Sequence, residues 1–133
     1  MSVQFVDTYY LLAFVNSRDK DHQKAVQHSQ GQLGGLLTTT WVLVEFADAL
    51  CAVGSRRSAA TFIRKFVNKP YAEVVAPWET QFQLGLAEYE SRHDKEWSLT
   101  DCLSFVVMRE RGINQALTAD HHFEQAGFTA LMR

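Results

Sequence analysis

Four carboxylates in this 133-residue chain stand where residue type and position could do chemistry: Asp7, Glu45, Asp101 and Asp120. Asp7 closes the β-branched and aromatic run Val3-Gln4-Phe5-Val6, and Asp120 lies two residues past Leu117-Thr118. Each also fits an N-cap, because an Asp side chain accepts from the free N–H groups of a helix start. Asp101 fits the third helical position of a capping box opened by Ser98. Glu45 has no such role. It lies between Val44 and Phe46 in a strongly apolar segment, and positions 41, 42, 48 and 49 hold no Lys or Arg to pair with it. A carboxylate there needs a partner from elsewhere in the fold, and a bound cation is one. Gathered in one crevice, the four would repel one another and raise their own pKa values. A divalent ion relieves that repulsion, and hard oxygen ligands select Mg²⁺ or Mn²⁺ over zinc.

The elements that must position them follow from periodicity. Short apolar runs at 3–6, 36–39, 72–76 and 115–118 read as strands, with a fifth over 128–132. Residues 8–16, a polar stretch from Asp21, and segments 40–53, 56–69, 78–92 and 98–108 carry helical spacing. Pro70 closes the helix over 56–69, and Gly112 ends the one opened by Ser98. Expected inner faces are Val42, Phe46, Ala49, Leu50 and Val53 in 40–53, and Phe82, Leu86 and Tyr89 in 78–92. Strands alternating with helices imply a three-layer α/β/α sandwich around a mostly parallel sheet of four or five short strands. In such sheets the functional crevice lies at the carboxyl ends of the strands, where Asp7 and Asp120 fall.

Composition bounds the alternatives. Hydrophobic residues at 47% supply a core, the absence of linkers and repeats says one domain over 1–133, and the charge is −2. A broad basic nucleic-acid surface is excluded by that charge, although thirteen Lys and Arg face only eleven acids once the four carboxylates are set aside. Cys51 and Cys102 both sit in apolar runs and are expected buried and reduced, which with the lack of a signal peptide or a long apolar span points to a soluble, cytoplasmic protein. No G-x-x-x-x-G-K-[ST], G-x-G-x-x-G or G-x-S-x-G motif is present, and Tyr9 occupies the place where an aspartyl phosphatase needs a second Asp.

Val6-Asp7-Thr8, Thr40-x-x-Leu43-x-Glu45, Ser98-Leu99-Thr100-Asp101-Cys102-x-Ser104-Phe105 and Leu117-Thr118-x-Asp120-x-His122-Phe123 together resemble a PIN domain, in order and spacing along nearly the whole chain. The resemblance is to the VapC-type ribonuclease toxins of toxin–antitoxin pairs. It implies a metal-dependent endonuclease on single-stranded RNA that leaves a 5′-phosphate and a 3′-hydroxyl. Matched residue by residue, Asp7, Asp101 and Asp120 would hold Mg²⁺ (or Mn²⁺), Glu45 would orient a water or help position the ion, and Thr118 would support the site. The same resemblance implies a homodimer and a separately encoded antitoxin, received in a groove beside the active site; the apolar faces of 40–53 and 56–69, Phe62 among them, are expected to build part of it. Arg56, Arg57 and Tyr9 are candidate RNA contacts; a solvated face and core packing are their plain readings. Tyr10, Trp41 and Trp97 carry the same choice between a base-stacking surface and the core. His121 and His122 read as capping or packing residues, and His22, His28 and His93 as solvated. A silent interaction module of the same fold and a structure-specific DNA nuclease are the competing functions.

Overall fold

A computed structural model describes residues 2–31 and 34–133. In chain order its elements are β1 (Gln4–Val6), α1 (Thr8–Val15), α2 (His22–Gln30), β2 (Leu36–Thr39), α3 (Thr40–Ala49), α4 (Arg56–Val67), β3 (Ala72–Val75), α5 (Glu79–Ser91), α6 (Leu99–Arg111), β4 (Gln115–Leu117), α7 (His121–Gln125) and β5 (Thr129–Ala130). The strands form one parallel sheet in the order β3-β2-β1-β4-β5, with Phe5 opposite Leu37 on one side and Ala116 on the other. Helices cover this sheet as an α/β/α sandwich, the architecture the alternating pattern predicts.

The order places β1 at the centre. From it the chain steps outward to β2 and β3, then crosses back to β4 and β5 on the other side. Right-handed crossovers put the two sets of connecting helices on opposite faces. The carboxyl ends of β1 and β4 therefore flank the point where the strand order reverses, the place where an open parallel sheet forms a crevice.

Phe5 and Val6 of β1, Phe46 of α3, Phe105 of α6 and Phe123 of α7 are fully or almost fully buried. Phe105 packs edge-on to Trp97 and Phe123, with ring centroids 5.1 and 5.0 Å apart. Trp97 is thus a core residue; its Nε1–H donates to Gln125 Oε1 at 2.9 Å. α6 buries every residue from Asp101 to Met108, so one end of a deeply apolar helix carries a site carboxylate. Gly112 ends α6 with φ 66°, the left-handed conformation that glycine adopts without strain.

Several local expectations are corrected. The helix expected over 40–53 stops at Ala49, a turn over the next residues leads into α4, and Val53 is left 95% exposed. Cys51 lies beyond the helix end and is exposed, whereas Cys102 is buried. The inner face of α5 is not Phe82, Leu86 and Tyr89. Gln81 and Gly85 face inward instead. A Cβ on Gly85 would lie 2.6 Å from Leu103 Cδ2, so the missing side chain is what lets α5 close onto α6. Phe82 then packs on Trp41, ring centroids 5.8 Å apart, and Trp78, Leu86 and Tyr89 stay exposed. His22, expected to be solvated, is half-buried with Nδ1 2.8 Å from Ala13 O. Among the described residues, no helix is long and apolar enough to cross a membrane.

Candidate active site

Asp7 sits between β1 and α1 as the helix N-cap in position, but its side chain makes no cap hydrogen bond. The carboxylate is 4% exposed and accepts instead from Thr118 Oγ1 at 2.7 Å, across the crevice from β4. The same Thr118 oxygen accepts the Asp120 N–H at 3.0 Å. One hydroxyl therefore fixes both strand-end carboxylates. Asp120 caps α7 by accepting the His122 N–H at 2.9 Å.

Asp101 arrives from the start of α6. The capping box expected for Ser98-x-x-Asp101 is present: Ser98 Oγ accepts the Asp101 N–H at 3.0 Å, and Asp101 Oδ2 accepts the Ser98 N–H at 3.1 Å. Capping and site placement are thus compatible for Asp101 and Asp120. Glu45 comes from α3, one turn past β2, whose Thr39 caps that helix through Val42 N–H at 3.1 Å. Its carboxylate accepts from Thr8 Oγ1 at 2.5 Å. A tertiary partner of Glu45 is thus the Thr8 hydroxyl.

Burial raises the Asp7 carboxyl from its ordinary 3.8 to about 7; the Thr118 hydrogen bond opposes the rise, and the Asp101, Glu45 and Asp120 charges add to it. Asp101, Glu45 and Asp120 are therefore each close enough to act on Asp7. Burial is also the main cause lifting Asp101, offset by the Ser98 N–H and by His122. Among the described residues, no Lys or Arg ion-pairs with any of the four. A group of carboxylates, two buried and two half-buried, that no Lys or Arg neutralises is a donor set that suits a hard divalent ion.

Sequence reasoning undervalued two neighbours. His122 Nδ1 stands 3.2 Å from Asp101 Oδ2 and 3.3 Å from Asp120 Oδ1, and His121 Nδ1 is 3.7 Å from Asp120 Oδ1. Asp120, His121 and His122 form the one described group of such residues whose ligating atoms all lie within 4.8 Å of one another. Thr8 was visible only as the residue after Asp7. The signal for His122 was its place two residues beyond a strand-end Asp.

The remaining candidates lie further out. Tyr9 donates its hydroxyl to Asp21, and that bond is the main reason the phenol is pushed up to about 12; Asp120 adds a small push. Arg56 Nη1 donates to Cys51 O at 3.0 Å, and Arg57 is exposed; the structure pairs neither with the carboxylates.

The chain matches the PIN domain family model over residues 5–129. It is 34% identical over 127 residues to the 23S rRNA-specific endonuclease VapC20 of Mycobacterium tuberculosis, covering 93% of this chain and 94% of that protein. The crystal structure of that organism's VapC20, described as a sarcin–ricin loop cleaving toxin, superposes with a TM-score of 0.87 at 26% identity, over 96% of this chain and 97% of the other. FitAcB from Neisseria gonorrhoeae shares the fold, with a TM-score of 0.69 at 11% identity over 96% and 95% of the two chains. This chain belongs to the PIN domain family, as a VapC-like member.

Proposed function

We propose that the protein is a metal-dependent endoribonuclease that hydrolyses single-stranded RNA and serves as the toxin of a toxin–antitoxin pair. The observation that carries this reading is the buried Asp7 carboxylate, held by a hydroxyl and acted on by three other carboxylates, with, among the described residues, no Lys or Arg paired to them. Such a group is costly without a cation, and a silent module gains nothing from it. Asp7, Asp101 and Asp120 are the proposed ligands of Mg²⁺ or Mn²⁺. A bound divalent ion polarises a phosphate and lowers the pKa of a bound water. Glu45, steadied by the Thr8 hydroxyl, would orient a water or help place the ion. Thr118 keeps Asp7 aimed into the crevice and sets the turn that carries Asp120.

The kinship to an enzyme named for 23S rRNA makes a structured rRNA loop the first substrate to try. Tyr9, Arg56 and Arg57 are the proposed RNA contacts, the arginines acting on phosphates without sequence preference. A groove of about 590 Å³, lined by Tyr10 and Phe14 of α1 and by Phe62, Lys65 and Phe66 of α4, with, among the described residues, none from 40–53, suits an apolar antitoxin segment with acidic flanks. The exposed stripe formed by Trp78, just before α5, and by Leu86 and Tyr89 of α5 supports a homodimer. A single PIN domain spanning 1–133 and a cytoplasmic location complete the proposal. The test is cleavage of matched RNA and DNA loops by the purified protein in Mg²⁺. Cutting of RNA alone supports the proposal; preferential cutting of DNA replaces it with a DNA nuclease.

A further inference from the structure

We infer that the outer stripe of α4, running through Arg57, Thr61, Arg64 and Asn68, is a second RNA contact outside the crevice that holds the phosphate backbone of a stem flanking the segment to be cut. The inference rests on the reading of RNA as the substrate and goes beyond it in placing the stem and the side chains that grip it. Charge distribution comes first. Residues 49–72 contain five cations, Arg56, Arg57, Arg64, Lys65 and Lys69, and no Asp or Glu. Setting those five aside leaves eight cations against fifteen acids, so the rest of the chain carries −7. A polyanion is drawn to this segment and repelled by much of the remaining surface.

Helical geometry aligns the donors. Positions 57, 61, 64 and 68 recur every three or four residues and share one face of α4 and its C-cap. All four are exposed, opposite the buried Ala59 and Phe66. From Arg57 to Asn68 the stripe is about 16 Å long, room for several successive phosphates. Asn68 Nδ2 donates to Arg64 O at 2.8 Å, which pins the amide at the end of the stripe. Shallow grooves run along it, one lined by Thr61, Arg64, Lys65, Asn68 and Lys69, the other by Arg57, Thr61 and Lys65 among others. Among the described residues, none of the five cations forms an ion pair. Helix stability accounts for only part of the set. Arg64 and Lys65 stand in the last turn, where the helix dipole favours a cation, but Arg56 and Arg57 stand in the first, where it opposes one.

The chemistry favours nucleic acid over protein as the occupant. The stripe lacks the aromatic and aliphatic side chains that the centre of a protein interface is built from. Those of α4, Phe62 and Phe66, line the groove on its other side. Arg, Thr and Asn without a carboxylate are the usual donors to phosphate oxygens, and duplex RNA is gripped through its backbone and shape. α4 packs on α3 and on β3, at the sheet edge two strands from β1. Its contacts therefore fall on nucleotides away from the bond at Asp7, which a structured substrate supplies as the stem beside its loop.

The test measures binding of a labelled RNA stem-loop, and of its loop segment alone, to the purified full chain in EDTA across a KCl series. Wild type is compared with paired Arg57→Gln and Arg64→Gln, and with the charge-keeping pair Arg57→Lys and Arg64→Lys. The glutamine pair should bind the stem-loop about tenfold or more weakly and lose roughly 1.5–2 from the slope of log affinity against log salt. The loop alone should change less than about twofold, since its phosphates stay in the crevice. The lysine pair should keep the slope, which a folding defect would not allow, and melting temperatures confirm that all three proteins are folded. Unchanged stem-loop affinity and slope in the glutamine pair overturn the proposal. Polyglutamate titrated in the same way separates the partner classes: loss of its binding in the glutamine pair, with RNA binding intact, overturns the proposal in favour of an acidic protein. Stripe-dependent RNA binding without cleavage in Mg²⁺ would sink the nuclease reading and leave this one standing. Cleavage in Mg²⁺ with RNA binding indifferent to the stripe would do the reverse.

Discussion

Thr118 Oγ1 donates to Asp7 Oδ2 at 2.7 Å, joining residues 111 apart in sequence across the carboxyl ends of β1 and β4. The bond opposes the rise of the Asp7 carboxyl, and the same oxygen receives Asp120 N–H. Replacing Thr118 with Val keeps the shape and removes both roles. Thermal melts should show a loss of about 1–3 kcal/mol, because a buried carboxylate and a backbone N–H lose their partner. The ascending limb of the pH–rate profile should move to higher pH, while Thr118→Ser should restore most of the wild-type behaviour.

Stability should depend on pH through Asp7. Its folded pKa, about 7, lies above its ordinary 3.8, so between those values the folded protein holds a proton that the unfolded chain releases. Folding stability therefore falls as pH rises from about 4 to 7, and the penalty is complete above that range. Without metal, Asp7→Asn should be more stable than wild type at pH 8 by a few kcal/mol at most, and the difference should shrink towards pH 4. Chemical denaturation across pH in EDTA checks this; Mg²⁺ should flatten the wild-type curve and leave the variant unchanged.

Thr8 and Glu45 should act as a pair. Hydrogen bonds to charged groups are worth about 1.5–3 kcal/mol, so Thr8→Val should lower RNA cleavage roughly tenfold or more. Added to Glu45→Gln, it should cost little further, as expected for two residues acting through one contact. A double-mutant cycle on the cleavage rate measures the coupling.

How much of this was legible in the chain depends on how local each cause is. Asp7 and Asp120 stand at strand ends, and Ser98-x-x-Asp101 is a capping signature, so a parallel sheet was enough to bring these carboxylates to one edge. The face of α5 was not legible. The apolar spacing of Phe82, Leu86 and Tyr89 argued for an inner stripe, but Gly85 against Leu103 sets the contact, and a close approach between helices leaves no apolar signal. Cys51 was misjudged because the helix stops at Ala49, short of the residues whose composition favoured its continuation. His122 was weighed by what it could cap; its ring reaches Asp101, which only the packing of α6 against α7 brings near.

That helix contact gives a further expectation. Gly85→Ala should destabilise by about 1–3 kcal/mol in spite of alanine's better helix propensity, since the new methyl overlaps buried Leu103. Leu86→Glu, on the exposed stripe, should leave the melting temperature nearly unchanged and shift the protein from dimer to monomer in light scattering.

The central claim is tested most directly by incubating a mixed RNA pool with the purified, partner-free protein in Mg²⁺ or Mn²⁺ and in EDTA, with Asp7→Asn run in parallel. The account predicts cleavage that needs the metal and disappears in the variant. Equal cutting by the two proteins, or cutting that survives EDTA, would contradict it.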